Sequence, residues 1–378
     1  MALVYEQARQ GPATHALVIG VGAYDHLKGG TASRKLSPMA RYGNLGQLTS
    51  PAVSACAFAQ HLITSDPASW VAPLATVDLL VAPAPGQPDP ADPGGPYEKP
   101  TRDALQVAFE DWWERCDGDA GNVAVLYFCG HGLQGTNQIL LASDFGRASA
   151  NPWMHSIDIN RTRQAFKANK AHVQIFLIDA CREVTTSNVE VPTPNAPPFR
   201  EPELRQTEHC RHDLTIQATS RDQKAYGPEN GVSFFTAAML EALRGGAGKK
   251  ENGEWWIKSE AISARIKQMV DRAGGSAQTP VVMTSEPTRL FRLSATPTAT
   301  LEVRCDPLEA TEHADLAYWR LGSQDRTRRP QKAPDAWRVP IPAGFYGVSA
   351  EFAAAPYSNA SDEVDVVPPF TGENLRVL

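Results

Sequence analysis

The chain has 378 residues, 42% of them hydrophobic and 21% charged, with a net charge of −6 at neutral pH. That length exceeds most single cores and predicts two or three domains, and the composition is that of an ordinary globular protein. The mild acidic balance gives no electrostatic footprint for nucleic acid and no basic patch for a lipid surface, and no apolar run approaches the ~18 residues of a membrane helix.

The opening stretch MALVYEQARQGPATHALVIGVG lacks the basic segment, apolar core and small-residue cleavage site of a signal peptide, so a cytoplasmic protein is expected. The first strand is expected over residues 16–21. The GVGAY that ends it has no third glycine of the dinucleotide pattern and no P-loop lysine, which predicts no cofactor. A second apolar run over 77–81 leads into residues 82–100, whose seven prolines predict an extended, mobile surface loop. Thr101 then reads as a helix N-cap, with Asp103 in the first turn and Leu105, Ala108, Phe109, Trp112 and Trp113 along one face. Strands are expected over 123–128, 173–178 and 214–218.

The last two strands are separated by residues 183–213, a connection too long to be a plain loop; Pro192, Pro194, Pro197, Pro198 and Pro202 predict that it is exposed and mobile. Two further helical patterns follow. One carries Phe235, Ala238, Met239, Ala242 and Leu243 before Gly245-Gly246, and the other Ile262, Ile266, Met269 and Val270 after Ser259. From about Thr296 the texture changes to short β-rich segments, TLEVRC, LAYWRL, WRVPI, FYGVSAEF and DEVDVV. The expected architecture is an α/β domain over 1–295, a mostly parallel sheet flanked by helices, followed by a small all-β sandwich over 296–378.

Sites of such sheets gather at the carboxyl ends of the strands, and two of these strands end in reactive residues: YFCGHG at Cys129 to Gly132 and LIDAC at Asp179 to Cys181. If they are neighbours, His131 and Cys181 share one rim. A thiol attacks as thiolate and needs a base, which His131 supplies; the same imidazole can then protonate a leaving amine. The backbone N–H groups of Gly132 and Cys181 are candidates for an oxyanion hole. The six cysteines show neither CxxC nor zinc-ligand spacing, so no disulfide framework and no metal are expected. Cys56 and Cys116, on helix patterns, and His15, His155 and His212 are given structural roles.

In order and spacing, ALVIGVGAY, VLYFCGHGLQG, QIFLIDACRE, TIQATSRDQKAYG, GVSFFTAAMLEAL and QTP resemble the successive blocks of the caspase and metacaspase family of cysteine peptidases, over roughly residues 16–280. The resemblance implies a caspase-like fold, a His131–Cys181 dyad and an oxyanion hole that includes Gly132. Caspases carry an amide two residues before the nucleophile and metacaspases an aspartate. Asp179 therefore implies the metacaspase type, with protein or peptide substrates bearing Arg or Lys before the scissile bond. Cys129 matches a pocket-lining serine of metacaspases, and Tyr226 falls where the family has a strand that pairs with the substrate backbone.

Ser50-Pro51 stands where the family often has Asn-Asp, so a second pocket carboxylate is missing unless Asp25 or Asp222 supplies it. No calcium site is legible. The family connection after the nucleophile is often cut; here it holds Arg200, Arg205 and Arg211, which implies a precursor activated by itself or by another arginine-directed protease. The same resemblance associates the chain with bacterial stress or antiphage defence. A non-catalytic scaffold and a thiol transpeptidase on the same framework are the alternatives.

Overall fold

The computed structural model describes residues 2–32, 45–66, 69–88, 90, 97–148, 150–182, 195–221, 223–272, 278–286, 288–354 and 356–378. The chain divides into two compact units, Met1–Leu240 with Ile266–Leu290, and Glu241–Arg265 with Phe291–Leu378. Its elements run β1 (Leu3–Glu6), β2 (Thr14–Val21), α1 (Ser50–Thr64), β3 (Leu74–Ala82), α2 (Arg102–Cys116), β4 (Val123–Gly130), β5 (Gly132–Gln134), β6 (Gln138–Leu141), β7 (Ser156–Asp158), α3 (Ile159–Phe166), β8 (Val173–Ala180), β9 (His212–Gln217), α4 (Phe234–Glu241), β10 (Gly248–Glu251), β11 (Glu254–Lys258), α5 (Ser259–Arg272), β12 (Val281–Thr284) and β13 (Arg289–Leu293).

The first unit is built on a seven-stranded sheet in the order β1-β3-β2-β4-β8-β9-β12. The central strands are parallel, and β1 and β12 run antiparallel at the two edges. Every residue of β2, β3 and β4 is buried, as is β8 after its first residue. That is why these strands read as continuous apolar runs rather than alternating ones. Helix α1 packs on β2 and β3, and α2 on β2. The Thr101 side chain accepts the Ala104 N–H at 3.3 Å and caps α2, with Asp103 in the first turn complementing the helix dipole. Trp112 is fully buried, stacks on Phe166 at 4.5 Å and donates its indole N–H to the His15 carbonyl at 3.0 Å.

Within residues 195–211 most positions are exposed as expected, but residues 196–199 are docked. Ala196, Pro198 and Phe199 are buried, and the Phe199 ring stacks on Phe109 at 4.7 Å. The Phe199 N–H donates to Thr162 Oγ1 at 3.0 Å; the carbonyls of Pro198 and Phe199 accept from Arg102 at 3.0 Å and Gln106 at 2.9 Å. Prolines prevent this segment from joining a ladder, but their carbonyls stay open to side-chain donors on α2, and one aromatic supplies the anchor. Residues 183–194 lie outside the described residues.

In the second unit β10 and β11 form an antiparallel ribbon. They are followed by β14 (Thr298–Asp306), β15 (Asp315–Arg320), β16 (Thr327–Arg328), β17 (Trp337–Pro342), β18 (Gly344–Glu351), β19 (Ala360–Val366) and β20 (Phe370–Arg376). Two sheets, β17-β14-β20 and β16-β15-β18-β19, enclose one core in which Leu301, Val303, Leu316, Trp337, Val348 and Val364 meet. Strand β14 alternates buried Ala299, Leu301, Val303 and Cys305 with outward residues, as a sandwich strand must. Pairing is antiparallel except for β14 with β20, which run parallel. Among the described residues no helix is long and apolar enough to cross a membrane.

Candidate active site

Strands β4 and β8 are paired in register, Cys129 opposite Asp179 and Gly130 opposite Ala180. The next residue on each, His131 and Cys181, therefore leaves the sheet at the same rim. The glycines around His131 are steric requirements: a Cβ at 132 would stand 2.5 Å from the Cys181 carbonyl oxygen, and one at 130 would stand 2.8 Å from Tyr24 Oη. A cavity of about 750 Å³ opens at this edge, and Cys129, His131, Gly132, Asp179, Cys181 and Tyr226 all line it. The six residues singled out as dyad, oxyanion donor and substrate contacts are thus brought to one place.

His131 is 7% exposed, and its Nε2 lies 2.8 Å from the Gly46 carbonyl. A carbonyl only accepts, so Nε2 carries the proton and Nδ1 keeps the lone pair. Burial pushes the imidazole pKa down to about 4, against the Gly46 hydrogen bond, so the ring is neutral at pH 7. The His131 N–H donates to Tyr24 Oη at 2.7 Å, and the two rings lie 4.8 Å apart. Cys181 is half-buried, and its sulfur accepts the Ala225 N–H at 3.3 Å.

Asp179 is 2% exposed and lies in the same cavity. Its Oδ2 accepts from the Ser233 hydroxyl, from Thr236 Oγ1 at 2.8 Å and from the Cys129 thiol at 3.5 Å. The hydroxyls are themselves fixed, since Ser233 donates its N–H to Ser54 Oγ at 3.0 Å and Thr236 Oγ1 lies 2.6 Å from Tyr127 Oη. Among the described residues all hydrogen bonds to this carboxylate run to Oδ2, which leaves Oδ1 for a ligand. Burial raises the Asp179 pKa, with the three hydrogen bonds opposing it. Burial and the neighbouring Asp179 also push the Cys129 thiol well up, which makes Cys129 a pocket wall and a poor nucleophile.

Asp25 does not supply a second carboxylate: it is ion-paired with Lys99 at 2.6 Å and is not part of the cavity wall. Asp222 lies outside the described residues. Ser50 does line the cavity, with its hydroxyl on the Pro228 carbonyl at 3.1 Å. Tyr226 is 45% exposed and lies in no strand. Its backbone is engaged within the chain, the N–H on Gln278 Oε1 and the carbonyl receiving the Phe234 N–H, both at 3.2 Å. None of the three arginines lines the cavity. All three are exposed; the Arg200 guanidinium stacks over Trp113 at 4.5 Å, and the Arg211 N–H donates to the His172 carbonyl at 2.9 Å.

Ser54, Ser233, Thr236, Gly46 and Gln47 were not marked by the sequence. The one available signal was the Ser233–Thr236 spacing, which puts two hydroxyls on one side of a helix start.

A parallel sheet that sets an imidazole and a thiol at adjacent strand ends, above a buried carboxylate, has the design of a caspase-like domain. The family model for the caspase domain matches residues 95–292, more than half of the chain, and the chain belongs to that family. It is similar to the uncharacterised protein y4kE of Sinorhizobium fredii, 32% identical over 47% of this chain and 51% of that protein. It is also similar to a probable protease of a Desulfuromonadales bacterium, 25% identical over 68% of this chain and 33% of that protein. The chain thus spans about half the length of the first relative and a third of the second. Among solved structures, a protein of Geobacter sulfurreducens aligns at 15% identity and a TM-score of 0.44, covering 72% of this chain and 94% of that one. Caspase-1 of Spodoptera frugiperda aligns at 15% identity and a TM-score of 0.42, covering 76% and 92%.

Proposed function

We propose that the chain is a cysteine endopeptidase that hydrolyses peptide bonds after Arg or Lys, with His131 and Cys181 as its dyad. The observation that carries this reading is that the imidazole, the thiol and the Asp179 carboxylate line one cavity at the ends of β4 and β8. Nδ1 of neutral His131 takes the Cys181 proton, and the thiolate attacks the substrate carbonyl carbon. The N–H groups of Gly132 and Cys181 receive the oxyanion as the carbonyl becomes tetrahedral. Collapse expels the amine, which takes the proton from His131, and water then hydrolyses the thioester with the imidazole again as base.

A guanidinium or ammonium group entering the cavity meets Oδ1 of Asp179 and favours its ionised form, whereas an acidic side chain is repelled. Residues 1–295 form the peptidase domain in this reading, and 296–378 a recognition or regulatory module. Of the three arginines offered for activating cleavage, Arg205 is assigned. It follows fully exposed Leu204, while the Arg200 guanidinium is stacked on Trp113 and the Arg211 N–H is bound.

A peptide-library cleavage profile tests the proposal. Cuts confined to Arg and Lys are expected; a preference for Asp, or ligation products in place of hydrolysis, overturns it.

A further inference from the structure

His131 is aimed by a backbone carbonyl, that of Gly46, so the geometry of the dyad depends on what holds Gly46 in place. Among the described residues just before α1, Gly46 takes part in no strand and makes an isolated bridge to Lys28. Its neighbour Gln47 supplies the anchorage. Gln47 Oε1 accepts the Tyr24 N–H at 2.8 Å, and Nε2 donates to the carbonyls of Tyr24 and Lys28, each at 3.0 Å. Both hydrogens of the amide and its oxygen are therefore used, which fixes the side chain in one orientation. Backbone bonds reinforce the clamp on either side, from Leu48 N–H to the Gly22 carbonyl at 2.9 Å and from Lys28 N–H to the Leu45 carbonyl at 3.3 Å.

The segment held on the other side of this clamp also touches the histidine. Tyr24, whose N–H and carbonyl both bond to Gln47, receives the His131 N–H on its hydroxyl at 2.7 Å and lays its ring beside the imidazole. One glutamine amide thus ties together the carbonyl that binds Nε2 and the tyrosine that holds the backbone and one side of the ring. A neutral imidazole has two tautomers, and the partner of one nitrogen decides which is populated. We propose that Gln47 is a positioning residue of the dyad: by fixing Gly46 and Tyr24 it holds His131 as the Nε2–H tautomer, with Nδ1 left for Cys181. The catalytic part of this inference rests on the peptidase reading; the structural part, clamp to tautomer, does not.

The test uses full-length chain carrying Gln47→Met, which keeps length and bulk and removes all three hydrogen bonds, and Gln47→Glu, which keeps only the acceptor for Tyr24. Imidazole ¹⁵N NMR, assigned with His131→Gln, reads the tautomer, and hydrolysis of an Arg-containing peptide reads kcat and KM separately. Wild type is expected to show His131 protonated on Nε2. Gln47→Met is expected to show a mixture or the Nδ1–H form, with kcat down about 10- to 100-fold and KM within about twofold, the scale for loosening a group that orients a reacting one. Gln47→Glu is expected to fall between the two, and it carries the test if Gln47→Met does not fold. An unchanged tautomer overturns the proposal, whether activity is retained or is lost in step with melting temperature. If wild type cleaves no peptide, the peptidase reading fails, while the tautomer shift still decides the clamp.

Discussion

Gly132 lies directly against the backbone of Cys181: a Cβ built on it would stand 2.5 Å from the Cys181 carbonyl oxygen and 2.9 Å from the Ala180 methyl. Neither neighbour has room to yield, because Ala180 is fully buried at the end of a central strand. Gly132→Ala is therefore expected to destabilise the first unit by about 1–3 kcal/mol, the usual cost of overpacking. It also displaces both proposed oxyanion donors, so kcat/KM is expected to fall by about 100-fold or more. Chemical denaturation and peptide hydrolysis on the same preparation check the two effects together. A variant that keeps wild-type kcat/KM removes Gly132 from the site.

Asp179→Asn preserves volume and removes the charge. Because burial raises the carboxyl pKa, the ionised form is disfavoured by the fold, and the variant is expected to be at least as stable as wild type at pH 7. Cleavage after Arg is expected to lose about 3–5 kcal/mol of transition-state binding, the scale for removing one partner of a desolvated charge pair. Steady-state kinetics with paired Arg and Gln peptides separate this from a general loss, which would affect both substrates equally.

The pH dependence follows from the same two groups. In the proposed mechanism, activity on a basic substrate needs Asp179 ionised and His131 neutral, and both states are lost as pH falls. His131 stays neutral down to about pH 4 and burial raises the Asp179 pKa, so the acid limb of kcat/KM on an Arg peptide is expected to move to lower pH in Asp179→Asn. For stability the histidine acts in one direction. Its folded pKa lies below the ordinary histidine value of 6.5, so the unfolded chain binds the proton first and stability drops as pH falls from about 6.5 to 4. Asp78, raised to about 6 by burial despite Arg115, opposes this, because the folded chain protonates first between about 6 and 4. Denaturation of wild type and His131→Gln across this range is expected to show the steeper acid loss in wild type.

Much of this arrangement was legible in the sequence, for definite physical reasons. Strands β2, β3, β4 and β8 are buried on both faces, so their sequences are short unbroken apolar runs. Reactive residues following such runs fall at the sheet edge, which is how His131, Asp179 and Cys181 were found. What stayed hidden depends on tertiary approach. Ser54 and Thr236 are ordinary helix hydroxyls until α1 and α4 bring them toward Asp179. Gln47 means nothing until residues 24–28 lie beside it. Strand β20 buries only Leu375, too little pattern for a strand to be read from FTGENLR. The docking of residues 196–199 requires the Phe109 face, which no local signal encodes.

That docking carries its own expectation. Phe199 is 7% exposed and stacked on Phe109, so Phe199→Ala is expected to cost about 3–5 kcal/mol, as other buried aromatic truncations do. It should also open the segment to proteolysis. In wild type, limited trypsin digestion followed by mass spectrometry is expected to show cleavage after Arg205 before any after Arg200. The reverse order would mean that the Trp113 stack does not protect Arg200 and that Arg205 is not the preferred point.

The central claim is that Cys181, activated by His131, reacts with substrates whose basic side chain reaches Asp179. A peptide bearing arginine next to an electrophilic ketone tests it most directly, with the labelled residue located by mass spectrometry. The account predicts one adduct, on Cys181, that is absent in Cys181→Ala and strongly slowed in His131→Ala and Asp179→Asn, and that forms at a near-normal rate in Cys129→Ala. Labelling at Cys129 instead, or faster labelling by the matching aspartate peptide than by the arginine peptide, would contradict it.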